Sequence, residues 1–155
     1  MIQIIPSTQA QGDRVIEIWR DAVDATHDFL TPEDRRAIDE EVCGFLSQAP
    51  LALAQSAAGE ILGFMLVSPT DTGAHMDALF IDPAAHGQGL GRALVNHALA
   101  RHDAITTDVN AQNIGAVKFY DAMGFIETGR SDRDDQRRPY PLIHLSRQKV
   151  LANRP

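Results

Sequence analysis

The chain has 155 residues, of which 44% are hydrophobic and 23% charged, a composition typical of one packed domain and unlike that of disordered or fibrous proteins. Its apolar stretches are far shorter than the roughly 20 residues of a transmembrane helix, and its N-terminus lacks a signal-peptide pattern. We therefore expect a cytoplasmic protein that does not enter membranes. The net charge of −7 argues against a nucleic-acid partner, because phosphate backbones are bound by basic patches.

The predicted elements alternate between strands and helices, and the first two helices have clear start signals. Ser7 or Thr8 is expected to cap the first helix, in which apolar residues recur at spacings of three and four. Thr31 followed by Pro32 predicts the start of the second. In chain order, the pattern predicts strand Met1–Ile5, the first helix, the second helix up to Pro50, strands Leu51–Gln55, Ile61–Val67 and His75–Ile81, a helix to about His102, strand Ile105–Val109, a helix from about Asn113 to Met123, and strands Phe125–Gly129 and Leu142–Leu145.

The order of these elements, β-α-α-β-β-β-α-β-α-β-β, predicts an α/β fold with a mixed, mostly antiparallel twisted sheet flanked by helices. A turn at Ala58 and Gly59 predicts that the second and third strands form an antiparallel hairpin. The chain contains no internal repeat and no linker. We therefore expect a single domain over residues 1–150, followed by a C-terminal tail over residues 151–155.

Cysteine and histidine residues give no sign of thiol or metal chemistry. The single cysteine, Cys43, excludes an internal disulfide and is typical of a reducing compartment. It lies in a helical pattern, so we expect a structural role rather than an activated thiolate. Among the six histidines, His97 and His102 lie on one predicted helix but do not share a face. The sequence therefore predicts no metal site.

A glycine-rich segment, His86–Arg92, directly follows a predicted strand and opens a helix. Backbone N–H groups at a helix N-terminus bind phosphate, and glycine lets the anion approach the backbone closely. A dinucleotide fingerprint would need a third glycine where Arg92 or Leu94 stands, and a P-loop would need lysine at Arg92. The segment is therefore predicted to bind another phosphate ligand, with a plain strand-to-helix turn as the alternative.

The stretch His86–Gly91 resembles the pyrophosphate-binding motif of the GCN5-related N-acetyltransferase (GNAT) superfamily, which is Gln or Arg, two residues, Gly, one residue, and Gly or Ala. The chain departs from this motif at its first position, where His86 stands, so Arg92 is expected to supply the cation. Asn110–Phe125 is also similar to the family's sequences, in the right order and at the right spacing. The resemblance covers nearly all of residues 2–148, and three stretches are similar to the bacterial YjaB-type subgroup: Asp24–Leu30, His75–Pro83 and Arg137–Leu142.

This resemblance implies an N-acetyltransferase that uses acetyl-coenzyme A (acetyl-CoA) as cosubstrate. It also implies that a primary amine attacks the thioester of acetyl-CoA directly, in a ternary complex. It implies that Tyr120 protonates the departing thiolate, with a core aromatic as the alternative. The amine must lose a proton before it attacks, and His75 is the first candidate for the general base. Asp77, His27 or a water chain are the alternatives. The residues implied in coenzyme binding are Leu79, Phe80, Ile81, His86, Gly87, Gln88, Gly89, Leu90, Gly91, Arg92, Asn113, Ala116, Phe119 and Tyr120.

The acceptor side of the cleft is flanked in this family by the loop after the first helix and by the last hairpin. The resemblance therefore implies substrate contacts from His27, Phe29, Asp77 and Tyr140, and the dipole of the first helix is expected to favour the charged form of His27. The acceptor is expected to be a small-molecule amine, a protein lysine or a protein N-terminus, and the protein a monomer or homodimer. The alternatives are a catalytically silent acetyl-CoA sensor or interaction module, and an unrelated nucleotide-binding α/β domain.

Overall fold

The computed structural model describes residues 1–148, so the predicted tail over residues 151–155 lies outside the described residues. The strands are β1 (Gln3–Pro6), β2 (Ala52–Gln55), β3 (Ile61–Pro69), β4 (Ala74–Ile81), β5 (Ala104–Asn110), β6 (Ile126–Ser131) and β7 (Leu142–Gln148). The α-helices are α1 (Gly12–Thr26), α2 (Pro32–Phe45), α3 (Leu90–Leu99) and α4 (Ile114–Ala122). Over residues 1–148, no helix has both the length and the hydropathy needed to cross a bilayer.

The strands form one sheet in the order β1-β2-β3-β4-β5-β7-β6. β4 and β5 run parallel, whereas β1 with β2, β2 with β3, β5 with β7 and β6 with β7 pair antiparallel. The predicted hairpin is present, and Gly59 in its turn has φ of 88°, a conformation that glycine adopts at low cost. The predicted α/β fold with a mixed, mostly antiparallel sheet is confirmed.

The chain divides into two compact units. The first comprises residues 1–66 and 78–95, and its core is an apolar cluster in which Ile18 of α1 and Phe64 of β3 are completely buried. The second comprises residues 67–77 and the chain from residue 96 onward, with Ile105 of β5 and Ile143 of β7 buried. The single domain over residues 1–150 remains a prediction from the sequence.

The two N-terminal helices begin in different ways. Thr31 caps α2 as predicted, because its side chain accepts a hydrogen bond from the Asp34 amide at 3.1 Å. The predicted cap of α1 is wrong: α1 begins after Gln11, whose side chain instead accepts hydrogen bonds from the amide and hydroxyl of Thr8. The Ser7 hydroxyl bonds the Ala49 carbonyl and the Leu51 amide, so it fastens the end of β1 rather than the start of α1.

The parallel pair β4–β5 is brought together by a close backbone approach at its start. A Cβ atom on Gly73 would lie 2.0 Å from the carbonyl oxygen of Ala104, so only glycine fits there. The pair then runs in register from Ala74 opposite Ile105 to Met76 opposite Thr107. This register ends before β4 does, since β4 continues to Ile81.

Candidate active site

The glycine-rich segment forms an open turn between β4 and α3 in the first unit. Gly87 and Gly89 have φ of 84° and 79°, the left-handed region that other residues rarely adopt. A Cβ atom on either residue would meet nothing within 4 Å. The backbone of this turn is therefore open to a ligand on the side where side chains would otherwise stand.

The same turn leaves a row of backbone N–H groups without partners. The Ala93 amide makes the first helical hydrogen bond of α3, to the Gly89 carbonyl at 3.0 Å. For the amides from Gly87 to Arg92, no residue within 1–148 offers a backbone acceptor. Such orphan donors at the positive end of a helix dipole suit a pyrophosphate, so the chain's own groups fit the phosphate end of acetyl-CoA.

An ion pair missed by sequence reasoning holds the start of this turn. Asp82 accepts hydrogen bonds from the Ala84 amide at 3.0 Å and from Arg14 Nη2 of α1 at 2.6 Å. Arg14 Nε also donates to the Ile61 carbonyl. The guanidinium of Arg14, more than any other group, lowers the pKa of the Asp82 carboxyl. Arg14 lies 68 positions before Asp82, too far for sequence spacing to reveal the pair.

The two side chains expected to assist the phosphate are both exposed. His86 and Arg92 lie at the surface, and within the described part of the chain neither has a side-chain hydrogen bond or ion pair. Both are therefore available to an anion. Gly91 is half-buried in the first turn of α3, and Leu90 is buried, so they can offer backbone amides but not side chains.

The predicted pantetheine strand is the C-terminal part of β4. Leu79, Phe80 and Ile81 are all half-buried, and the Phe80 ring lies 5.6 Å from that of Phe64. Gly63 on β3 lies under this strand, since a Cβ there would come within 2.6 Å of the Ile81 side chain. Phe80 thus packs against the core of the first unit, and the backbone of this segment can be offered to a ligand.

In the second unit, Tyr120 of α4 is buried, with 7% of its surface exposed. Its ring packs edge-on against Phe119 and Phe125, with centroids 5.2 and 5.3 Å away. Burial raises the pKa of Tyr120 to about 12, and a hydrogen bond with the Thr107 side chain opposes this shift. The phenol is protonated at neutral pH, as a tyrosine in water also is, and a general acid must carry its proton.

The start of α4 is capped by Asn113, whose side chain accepts a hydrogen bond from the Ala116 amide at 3.2 Å. The side-chain oxygen of Asn113 is thus occupied, and its side-chain NH2 group can donate to a ligand. Nearby on β5, the Asn110 side-chain oxygen is buried without a hydrogen-bond partner among residues 1–148. Buried acceptors are normally hydrogen-bonded, so the Asn110 side-chain oxygen can accept a hydrogen bond from a ligand at the end of β5.

The predicted base His75 lies at the start of β4 and contacts two side chains of β5. Its Nδ1 is 2.7 Å from Thr106 Oγ1, and its Nε2 is 3.6 Å from Asp108 Oδ2. Asp108 in turn binds a second imidazole, because Nδ1 of His144 on β7 lies 2.5 Å from Asp108 Oδ1. His144 Nε2 is 2.7 Å from Ser131 Oγ on β6. We call these five side chains, His75, Thr106, Asp108, His144 and Ser131, the imidazole cluster.

Sequence reasoning found only His75 of this cluster. A signal was present in β5, where Thr106 and Asp108 alternate with the buried Ile105, Thr107 and Val109, so that polar side chains share one face of the strand. The register that sets His144 opposite Asp108 and Leu142 opposite Ser131 has no signature in the sequence. Because Thr107 bonds Tyr120, Tyr120 lies on the opposite face of β5 from Asp108.

The remaining predicted substrate residues are distributed between the two units. In the second unit, Asp77 accepts a hydrogen bond from Ser68 at 2.5 Å and Tyr140 is buried. In the first unit, His27 and Phe29 are half-buried with their rings 5.2 Å apart. Burial lowers the pKa of His27, so the expectation that the helix dipole favours its charged form is wrong.

The other predicted features concern Cys43 and metal sites. The Cys43 sulfur lies 3.3 Å from the Arg20 guanidinium and 3.4 Å from Asp39, and burial raises the pKa of the thiol, which opposes nucleophilic chemistry. Nowhere in residues 1–148 do three His, Cys, Asp or Glu side chains meet in a way that could hold a metal ion.

Comparison with known proteins places these features in a family. Residues 20–141 match the model of the acetyltransferase (GNAT) domain. The chain is 52% identical over 145 residues to the peptidyl-lysine N-acetyltransferase YjaB of Salmonella typhimurium, covering 94% of this chain and 97% of that protein. The solution structure of apo YjaB from Escherichia coli superimposes with a TM-score of 0.87 at 47% identity, covering 94% and 97% of the two chains.

A more distant structure shares the fold. YncA of Salmonella typhimurium, a putative acetyltransferase solved with its cofactor acetyl-CoA, matches with a TM-score of 0.65 at 18% identity, covering 100% of this chain and 98% of its own. At this identity the match shows the fold alone.

Proposed function

The chain belongs to the GNAT acetyltransferases, and from this membership we propose that it transfers the acetyl group of acetyl-CoA to the side-chain amine of a protein lysine. The observation that carries the proposal is the 52% identity, over 94% of the chain, to a protein named a peptidyl-lysine N-acetyltransferase. Identity spread over nearly the whole chain supports a shared acceptor class as well as a shared coenzyme.

In this proposal the first unit binds the coenzyme. The orphan amides from Gly87 to Arg92 hold the pyrophosphate, and the exposed Arg92 and His86 add donors to it. The pantetheine arm pairs with the backbone of Leu79–Ile81 as an added strand. The family resemblance also assigns coenzyme contacts to Asn113, Ala116 and Phe119 of α4.

The acetyl group moves in one step within a ternary complex. The neutral amine attacks the thioester carbon, a C–N bond forms, and the C–S bond breaks. Tyr120 donates its phenolic proton to the departing thiolate, a role that the family resemblance supports. A general base takes the proton that the lysine ammonium must lose, with His75 as the first candidate, acting directly or through a chain of water molecules. The family resemblance implies that His27, Phe29, Asp77 and Tyr140 contact the acceptor.

Calorimetry with acetyl-CoA tests the coenzyme site. The variant Gly89→Trp places a large side chain where a Cβ now meets open space at positive φ, and it is expected to abolish binding. The matched control is Gly59→Trp, because Gly59 also has positive φ with nothing closer to its Cβ than 3.9 Å but lies in the β2–β3 turn. The control is expected to bind like the native protein.

The results separate the possible functions. Loss of binding in Gly89→Trp alone supports the coenzyme site. Equal binding by both variants contradicts the assignment of the pyrophosphate to the glycine turn, whereas no binding by the native protein contradicts the acetyltransferase and the acetyl-CoA sensor together. Binding without transfer to any lysine peptide supports the sensor instead.

A further inference from the structure

The imidazole cluster contains a serine, a histidine and an aspartate joined in a chain of hydrogen bonds. Ser131 Oγ lies 2.7 Å from Nε2 of His144, and Nδ1 of the same imidazole lies 2.5 Å from Oδ1 of Asp108. Serine hydrolases have this order of atoms, with the hydroxyl bonded to one ring nitrogen and the carboxylate to the other. Such a site is recognised by geometry rather than by sequence position, and here its members come from β6, β7 and β5.

The contact with Asp108 decides where the protons of this chain lie. An ionised carboxylate only accepts hydrogen bonds, so the proton between the two residues is on Nδ1 of His144. In the neutral imidazole, Nε2 then carries the lone pair and accepts a hydrogen bond from the Ser131 hydroxyl. The contacts of His144 therefore select the tautomer that a general base needs, whichever nitrogen of His75 carries a proton.

Solvent can reach all three side chains. Those of His144 and Asp108 are 35% and 27% exposed, and Ser131 is half-buried at the end of β6, the outermost strand of the sheet. Polar groups this exposed can bond water, so burial alone does not require them to pair. In the described part of the chain, the next two amides, of Asp132 and Arg133, have no backbone acceptor. They are donors within two residues of the serine.

We propose that Ser131, His144 and Asp108 form a further catalytic site, which hydrolyses carboxylic esters through an acyl-serine intermediate. Ser131 is the nucleophile, and His144 is the general base and then the general acid. Asp108 is a positioning residue that holds the imidazole in the required tautomer. Esters are the expected class because an alcohol leaves more readily than an amine. The reaction uses neither acetyl-CoA nor lysine, so it is independent of the proposed acetyl transfer.

The proposed reaction has two steps. In the first, the O–H bond of Ser131 breaks, Oγ bonds the ester carbon, and the C–O bond to the alcohol breaks. His144 Nε2 takes the serine proton and gives it to the departing alcohol. In the second, water attacks the acyl-serine in the same way, so the carboxylic acid leaves and the Ser131 hydroxyl is restored. The amides of Asp132 and Arg133 are the candidate donors to the negative oxygen that forms in each step.

Two probes test this site at mildly alkaline pH, which favours the neutral imidazole. A fluorophosphonate forms a stable bond to an activated serine, and mass spectrometry locates the labelled residue. Hydrolysis of p-nitrophenyl acetate, followed by the release of p-nitrophenolate, measures turnover. The variants are Ser131→Ala and His144→Gln. The matched control is Ser146→Ala, because Ser146 is also half-buried and lies two positions from His144 on β7.

We expect the fluorophosphonate to label Ser131 in the native protein and, at the same rate, in Ser146→Ala. Labelling should be lost in Ser131→Ala and slowed about a hundredfold or more in His144→Gln, because general-base catalysis is removed. Ester hydrolysis above the rate in buffer should fall in both variants. No labelling of the native protein, labelling at another residue instead, or undiminished ester hydrolysis in Ser131→Ala would each overturn the proposal.

The positioning role of Asp108 is tested with two substitutions at one site. Asparagine keeps the shape and an acceptor oxygen but loses the charge, whereas glutamate keeps the charge. Asp108→Asn should slow the labelling of Ser131 about tenfold or more without a loss of thermal stability, because the carboxylate stabilises the imidazolium that forms during attack. Asp108→Glu should recover part of this rate. An unchanged rate in Asp108→Asn, or equal losses in the two variants, would overturn this role.

Discussion

Tyr120 shows how the surroundings of one residue decide what its side chain can do. From the sequence, a tyrosine in an amphipathic helix is as compatible with a core position as with a catalytic one. The structure makes it both buried and hydrogen-bonded, through Phe119, Phe125 and Thr107. Burial disfavours the charged phenolate, so the residue holds its proton far above neutral pH.

This shift predicts how stability depends on alkaline pH. The pKa of Tyr120 is about 12 in the folded protein against the ordinary 10 of a solvated tyrosine, so between these values the unfolded chain loses a proton that the folded chain keeps. Stability therefore falls as pH rises through this window, and roughly 1.4 kcal/mol per pKa unit makes the loss about 3 kcal/mol. Urea unfolding at several pH values checks the slope.

The matched variant for this experiment is Tyr120→Phe, which keeps the ring and removes the ionisable group. Its unfolding free energy should fall less steeply with pH than that of the native protein, while Tyr140, the other tyrosine, is present in both. Identical slopes in the two proteins would contradict the burial of Tyr120 as the source of the dependence.

At the scale of elements, the glycine turn and α4 were predictable, and the imidazole cluster was not. The turn is encoded locally, because three glycines follow a strand within six residues, His86–Gly91, and their chemistry does not depend on distant parts of the chain. The cluster depends on which strands become neighbours. Asp108 and His144 lie 36 positions apart and meet only because β7 inserts between β5 and β6.

Local patterns also fail where a side chain has a better distant partner. Ser7 is a good helix-capping residue, yet its hydroxyl bonds Ala49 and Leu51. At Ser7, tertiary contact thus overrides a local preference. Asp82 instead keeps its local bond to the Ala84 amide and adds a distant partner, Arg14 of α1.

Two glycines in different elements predict opposite effects of the same substitution. Gly73→Ala places a Cβ against the Ala104 backbone, so the start of the β4–β5 pair must shift, and we expect a loss of about 2 kcal/mol or more. Gly44→Ala on α2 meets nothing within 4 Å and should stabilise the protein by about 0.5–1 kcal/mol, because alanine favours helices.

Urea unfolding of the two variants measures both effects against the native protein. Since β4 and β5 carry His75 and Thr106, Gly73→Ala should also weaken acetyl transfer at temperatures where it remains folded. A Gly73→Ala variant as stable as the native protein would show that the approach at Ala104 is not needed to set the register.

At the scale of the whole molecule, two widely separated motifs identify the fold. The stretches His86–Gly91 and Asn110–Phe125 lie in different compact units, so the presence of both motifs indicates that each unit resembles the family. The element order and the mixed sheet follow from the pattern of predicted elements and also fit this resemblance, and the family match over residues 20–141 confirms the resemblance. The strand order and the partners of Asp108 required the structure, because pairing between distant strands is set by packing rather than by local pattern.

Transfer of an acetyl group to a lysine peptide is the most direct test of the account. The native protein, acetyl-CoA and the peptide are incubated together, and mass spectrometry locates the added acetyl group. We predict acetylation at the lysine side-chain nitrogen, with kcat lowered about a hundredfold or more in Tyr120→Phe. A native protein that binds acetyl-CoA but acetylates no lysine in any peptide tested would contradict the account.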